Sequence, residues 1–300
     1  MEFGASHWLD VEQPTAEDLR RLAQQYGFPQ LLVEDCLQPD HLPKFARTAQ
    51  GGFVIVRAFD ENAPEAANDI QSLTRKVAIF WGENFLITVH RSHLNWLATV
   101  WDDWIKKTNS TESVLGNIFY DILGEALYTF EDPIDRATLA IDNLEDAVFE
   151  NHSNSSSQSI LATAYLAKKR AAIFKRLLRL TRDILPMATK IGDPSSPAIQ
   201  SLKEELERLF SYSDDLVETA NDLVQMSISL SSFRTNDLVR LLTVVSLFLL
   251  PLNLVTGVYG MNFQFMPELK SEWGYPIVLA SMLIIEVSIF IWLRRKNWIL

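Results

Sequence analysis

Leu241-Leu242-Thr243-Val244-Val245-Ser246-Leu247-Phe248-Leu249-Leu250-Pro251-Leu252-Asn253-Leu254-Val255-Thr256-Gly257-Val258 leads directly into Tyr259-Gly260-Met261-Asn262-Phe263. The run is uncharged and mostly apolar. After a short loop, Gly274 to Leu293 forms a second such run. Two apolar runs closing an otherwise polar chain predict a transmembrane hairpin. Gly260-Met261-Asn262 sits where the first span leaves the bilayer. A small residue and a carboxamide there, repeated around a ring of subunits, would form an oxygen-lined mouth suited to a hydrated hard cation. Mg²⁺ has this character: it takes oxygen ligands and dehydrates reluctantly. Neutral oxygens hold such an ion weakly enough to release it, as conduction requires. On local grounds alone the tripeptide is also a helix C-terminal turn, with Gly at C′ and Asn tolerating the left-handed conformation.

Working back along the first span, Asn236, Val239, Thr243, Ser246, Leu250, Asn253 and Gly257 fall at helical spacing on one stripe. Polar residues in a span are costly unless they face a bundle interior or water. The stripe therefore predicts pore lining, with Val239 and Leu250 as apolar constrictions that gate by dewetting. The competing reading is that Thr243, Ser246 and Asn253 hydrogen-bond neighbouring helices. A single hairpin cannot enclose a water path, so the pore reading demands an oligomer. Glu286 lies midway along the second span, where protonation or a partner on the first helix would relieve its cost.

Basic residues flank the hairpin. Arg234 and Arg240 precede the first span, and Arg294, Arg295 and Lys296 follow the second. The loop between them carries Lys270 against Glu268 and Glu272. The positive-inside rule then places both termini in the cytoplasm and the loop outside, in an inner or plasma membrane. Glu268 and Glu272 would concentrate cations near the mouth. Met1-Glu2-Phe3-Gly4 has neither a basic nor an apolar leader region, so no signal peptide is expected.

Bulk composition narrows the rest. The chain of 300 residues has 38 acidic and 27 basic side chains, for a formal charge of −11. That balance argues against nucleic acid as a partner. One cysteine, Cys36, excludes a disulfide framework and a Cys-rich zinc site. There is no nucleophile-and-base pairing and no phosphate-cradling glycine loop, so no enzyme is expected.

The fold class expected is an α+β cytosolic domain, a long helical stalk and two transmembrane helices. Residues 1–110 form the α/β domain: Thr15 N-caps a helix, and 52–57, 77–81 and 85–90 are strands, the last two joined by a turn at Gly82-Glu83-Asn84. A Trp-rich helix follows from about His93 to Lys106. Residues 111–191 read as a helical hairpin turning at Asn151 to Gln158, with Pro133 kinking its first helix or starting that helix's second half. Its acidic stripe, Asp135, Asp142, Asp146 and Glu150, would meet the basic stripe Lys168, Lys175, Arg179 and Arg182. Gly192 to Pro197 is a break. Residues 198–258 then read as one helix, about 90 Å long, whose end (about 239–258) is the first span. Residues 259–274 form the outer loop, 275–293 the second span and 294–300 a basic tail. His90 and His93 are too isolated for a zinc site.

Tyr259-Gly260-Met261-Asn262, followed by Met266-Pro267-Glu268-Leu269, resembles the CorA family of magnesium and cobalt transporters. Trp273-Gly274-Tyr275-Pro276 and Arg294-Arg295-Lys296-Asn297-Trp298 resemble it too, as do Trp8-Leu9-Asp10-Val11, Leu32-Val33-Glu34-Asp35 and Phe85-Leu86-Ile87-Thr88-Val89-His90-Arg91. The resemblance covers nearly the whole chain. It implies a funnel-shaped homopentamer in the lipid bilayer and potential-driven influx of hydrated divalent cations, Mg²⁺ and also Co²⁺ or Ni²⁺. Cytosolic Mg²⁺ would hold the pore closed as a regulatory ligand. Gly260, Met261 and Asn262 match the selectivity motif, Asn236 a pore-facing asparagine and Pro251 a mid-span proline. Asn253 stands where a pore-facing threonine is common, which keeps a polar ring but enlarges it. Asp214, Asp215, Glu218 and Asp222 lie on the stalk where the family's regulatory sites lie. A zinc-carrying relative would usually read Gly-Val-Asn at the mouth, and a non-conducting membrane-anchored scaffold would need only apolar spans.

Overall fold

The computed structural model describes residues 1–3, 6–107, 114–150, 154–188, 191, 196–262 and 266–298. The 110/111 junction, the first residues of the Asn151 turn, most of the Gly192–Pro197 break and Phe263 lie outside the described residues. The chain forms two compact units, Met1–Gln225 and Met226–Leu300.

The first unit is built on a six-stranded sheet in the order β1-β2-β6-β5-β4-β3. The strands are β1 (Glu2–Phe3), β2 (Ser6–Glu12), β3 (Lys44–Arg47), β4 (Gly51–Phe59), β5 (Thr74–Gly82) and β6 (Phe85–His90). β2 runs parallel to β6, and the other neighbours are antiparallel. β4 and β5 pair from Gly51↔Gly82 to Phe59↔Thr74. Their β-branched and aromatic content suits a pleated surface buried on both sides.

Alternation along the strands feeds two cores. Phe53, Ile55, Ala78, Phe80 and Ile87 face α1 (Ala16–Tyr26) and α2 (Gln30–Leu37). Thr15 caps α1 through a reciprocal capping box with Asp18, and Gly27 closes it at φ 68°, in the left-handed region that glycine tolerates. On the other face, Val54, Val56, Val77, Ile79 and Leu86 meet a larger apolar layer. That layer draws on α4 (Asn95–Lys106), α5 (Val114–Tyr128), α6 (Glu131–Glu150), α7 (Asn154–Ala188) and the early part of α8 (Pro197–Tyr259). The short α3 (Ile70–Leu73) precedes β5.

Of the two readings of Pro133 the structure has the second: it sits in the first turn of α6, after α5 has ended at Tyr128, where its missing N–H costs nothing. Two details depart from the sequence reading. The return helix already begins at Asn154, inside the Ser/Asn-rich stretch read as a turn. Finally, two members of the basic stripe of α7 turn to α8, and among the described residues none forms an ion pair with α6. Lys175 bonds Asp214, and Arg182 reaches Glu207 at 3.5 Å while covering the Phe210 ring at 4.1 Å. The cause is packing: Phe174, Leu177 and Leu178 claim the apolar side of α7. These partly exposed pairs each contribute about 0–1 kcal/mol.

Candidate functional site

The second unit holds the end of α8, a short 3-10 turn (Pro267–Lys270) and α9 (Gly274–Arg295). α8 and α9 are both long and apolar enough to cross a membrane. The apolar stretches of the two helices stay exposed within the chain: Leu242, Leu250 and Leu254 are 66–69 % exposed on α8, and Leu283 is 66 % exposed on α9. Water is a poor solvent for such a surface, whereas lipid or further copies of the chain would suit it.

Each helix shields one face. On α8 the shielded residues include Val244, Leu247, Phe248, Pro251 and Val255; on α9 they include Val278, Met282, Ile285, Ile289 and Leu293. The three-and-four spacing marks the seam between two antiparallel helices. At one end of the seam Val255, Thr256 and Tyr259 share a groove with Gly274, Val278 and Met282. At the other end Arg240 donates to the Asn297 carbonyl and lies 5.9 Å from the Trp298 ring. The sequence identified Arg240 only as a topological charge. The matching signal was an aromatic residue just past the opposite span.

The predicted stripe lies on the other side of α8. At 100° per residue its members centre about 130° around the helix from the seam. Asn236, Val239, Leu250, Asn253 and Gly257 are exposed, and Thr243 and Ser246 half-exposed. Thr243 donates its hydroxyl to the Val239 carbonyl at 2.7 Å, and Ser246 donates to Leu242 at 2.8 Å. Both hydroxyls are thus satisfied within their own helix, which needs no neighbouring helix to hold them. Pro251 removes one backbone N–H from the span, so the Leu247 carbonyl loses its usual helical donor.

Gly260 continues the helical ladder, its N–H reaching the Thr256 carbonyl at 2.9 Å, and Met261 N–H tightens onto Val258 at 3.3 Å. Neither Gly260 nor Asn262 takes a positive φ, so the turn is not the left-handed cap the local reading suggested. A Cβ on Gly260 would lie 3.0 Å from the Thr256 carbonyl. Met261 and Asn262 are exposed at the helix end, as are Glu268 and Glu272 in the loop. A Cβ at Gly274 would meet the Glu268 carbonyl at 2.2 Å, so only glycine lets the 3-10 turn close against the start of α9. Glu286 faces the seam, with its Oε1 buried and without a hydrogen-bond partner.

The stalk carboxylates lie in the first unit. Asp214 is engaged by Lys175, while Asp215, Glu218 and Asp222 are exposed. Asp215 shares a cavity of about 340 Å³ with Asp135 and Asp142 of α6. Among the described residues no group of three or more His, Cys, Asp or Glu side chains is placed to hold a metal ion. His90 is bound to Asp10 at 3.1 Å and His93 to Glu12 at 3.3 Å, each apart from the other.

Comparison with known proteins agrees with this arrangement. The sequence profile of the CorA-like Mg2+ transporter protein family matches residues 4–295. The chain is 24 % identical over 313 aligned residues to the cobalt/magnesium transport protein CorA of Thermotoga maritima, covering 97 % of this chain and 83 % of that one. It is 27 % identical to the Bacillus subtilis protein YfjQ, to which metal ion transport is provisionally assigned, over 98 % of this chain and 90 % of that one. The complete CorA magnesium transporter structure from Methanocaldococcus jannaschii superposes with a TM-score of 0.78 at 20 % identity, covering 98 % of this chain and 92 % of that one.

Proposed function

The chain belongs to the family of CorA-like Mg2+ transporters, and from that premise we propose that it is a Mg²⁺ channel lined by the outward stripe of α8. Transporters of this family are membrane proteins, not enzymes, and the two candidate spans lie near the C-terminus. In this reading both termini are cytoplasmic and the loop around Glu268 and Glu272 is outside. Five copies set their α8 helices around a common axis, with α9 on the lipid side. Asn262 and the backbone oxygens of Gly260 and Met261 hold the hydrated ion at the mouth. Asn253, Ser246, Thr243 and Asn236 offer polar rings below it, and Leu250 and Val239 form the apolar constrictions. The membrane potential drives influx, and Co²⁺ and Ni²⁺ follow the same route. Cytosolic Mg²⁺ closes the path through stalk carboxylates, with Asp215, Glu218 and Asp222 available and Asp214 drawn in when Lys175 releases it.

One observation carries this reading: the stripe predicted to face water is the side of α8 that α9 leaves uncovered, and it ends at Gly260-Met261-Asn262. A hairpin used only as an anchor has no need of polar residues there. The test is Mg²⁺ flux into proteoliposomes, with wild type beside Asn262→Ala. Loss of flux to the protein-free background, with assembly intact, is the expected result. Undiminished flux through Asn262→Ala would refute the assignment of the mouth. No wild-type flux of Mg²⁺ would direct attention to Zn²⁺ with a proton gradient, or to a scaffold.

A further inference from the structure

Arg57, Lys76 and Arg91 form a row across three neighbouring strands on the α1/α2 face of the sheet. Arg57 of β4 is the direct cross-strand partner of Lys76 of β5. Val77 pairs with His90, so Arg91, one residue further out on each count, falls beside Lys76. Like charges placed opposite each other on a sheet repel. Here two of them are also buried, Arg57 at 3 % and Lys76 at 9 % exposure.

Their bonds go to neutral oxygens. Arg57 donates to Thr74 Oγ1 at 2.7 Å and to the Pro39 and His41 carbonyls at 3.0 Å. Lys76 Nζ donates to the carbonyls of Asp35 at 2.6 Å and Cys36 at 2.9 Å, and to that of Gln38. Those carbonyls close the C-terminal end of α2, whose dipole favours a cation. Of the nearby carboxylates, Asp35 is bound by Lys44 at 2.6 Å and His41 at 3.1 Å and Asp60 by Arg75 at 2.5 Å, while Asp40 favours the Arg57 charge without an ion pair to it among the described residues. Clamping α2 accounts for Lys76, and holding the 38–41 loop accounts for Arg57. Neither accounts for Arg91, which is exposed beside them. The three cations and Arg75 line one cavity of about 300 Å³, and its described lining contains no Asp or Glu.

We propose that this cavity binds a phosphate group, free or at the end of a nucleotide, with Arg91 and Gln71 as contacts and buried Arg57 and Lys76 supplying the attractive field. Arginine suits the task because its planar fork matches phosphate oxygens. Burial and mutual repulsion disfavour the charged forms of the cavity's members. Burial pulls the Lys76 ammonium down to about 8, and Arg57 and Arg91 push the same way. Burial likewise lowers Arg57 to about 10, with Arg75 adding to it. A bound dianion would offset both. The inference is independent of the pore, since every residue it uses lies in the first unit.

Full-length protein in detergent would be titrated by calorimetry at fixed ionic strength with inorganic phosphate and, separately, with Mg²⁺-free ATP. Saturable binding of at least one is expected, weakened about tenfold or more in Arg91→Gln by loss of a charge-assisted contact. Arg91→Gln changes an exposed side chain beyond the end of β6, and an unaltered circular dichroism spectrum would show that the fold survives. Saturation by phosphate identifies the free ion as sufficient; saturation by ATP alone identifies a nucleotide. No saturable heat with either, or equal affinity in Arg91→Gln, overturns the proposal. Asn262→Ala is expected to bind as wild type does, which separates this result from that of the flux test.

Discussion

The two units solve opposite solvent problems. In the first, Ile118, Phe119 and Ile122 of α5 are fully buried, and Trp8 and Thr88 are buried with their polar atoms bonded to each other at 3.0 Å. In the second, Leu254 is 69 % and Tyr275 76 % exposed, and Leu293 alone among its described apolar residues is in the core. The hydrophobic effect in water can stabilise the first unit without help. It cannot stabilise the second, whose apolar surface gains nothing until lipid or sister chains cover it. The pore reading uses that difference, taking the stripe on the side of α8 that α9 leaves uncovered as the wall of a water path.

The contrast breaks most visibly at the core. Phe119→Ala is expected to lower the unfolding free energy of the first unit by about 3–5 kcal/mol, read by urea denaturation in detergent. Leu254→Ala should leave that transition where it is. Comparable destabilisation by both would mean that the outer surface of α8 is packed in a way the chain alone does not reveal.

How much of this was legible follows the same divide. β4, β5 and β6 stand out because Val54, Ile55, Ile79 and Ile87 lie in continuous β-branched and aromatic runs. β2 does not, because Ser-His-Trp-Leu-Asp-Val-Glu mixes charge into a strand whose partner, β6, lies far along the chain. Helical period alone puts Asn236 to Gly257 on one stripe of α8, because the spacing along a single helix is read directly from the sequence. The partners of Lys175 and Arg182 are set by a third helix, which no two-helix pattern specifies. The Arg57–Lys76 juxtaposition depends on strand register, which the spacing of residues on separate strands does not reveal. Local signals were readable; contacts decided by tertiary packing were not.

A smaller effect tests one buried polar contact of the first unit, the Trp8–Thr88 hydrogen bond. Thr88 accepts from the Trp8 indole at 3.0 Å and donates to Asp10 at 2.5 Å. Thr88→Val keeps the shape but leaves the buried indole N–H without a partner. A loss of about 1–3 kcal/mol is expected in the same denaturation assay. An unchanged midpoint would show that the indole finds water, and that the network is not closed.

The smallest effect comes from the next member of that network. His90 is 4 % exposed, with Nε2 at 3.1 Å from Asp10 and Nδ1 at 2.7 Å from the Ser92 carbonyl. Both partners accept, so the ring serves both only as a donor at each nitrogen, in its protonated form. Burial opposes that charge, but the Asp10 hydrogen bond and charge, the Ser92 carbonyl and Glu12 outweigh it, and His90 titrates above its ordinary value. An unfolded histidine titrates near 6.5. The stabilisation is therefore fully present below about 6.5 and is lost as pH rises through the folded-state value, because the folded chain holds the extra proton in that window. The urea midpoint of wild type should fall modestly from pH 6 towards mild alkalinity, and His90→Gln should remove that part of the slope. A variant whose slope matches wild type would place the proton elsewhere and leave the Asp10–His90 contact as a neutral hydrogen bond.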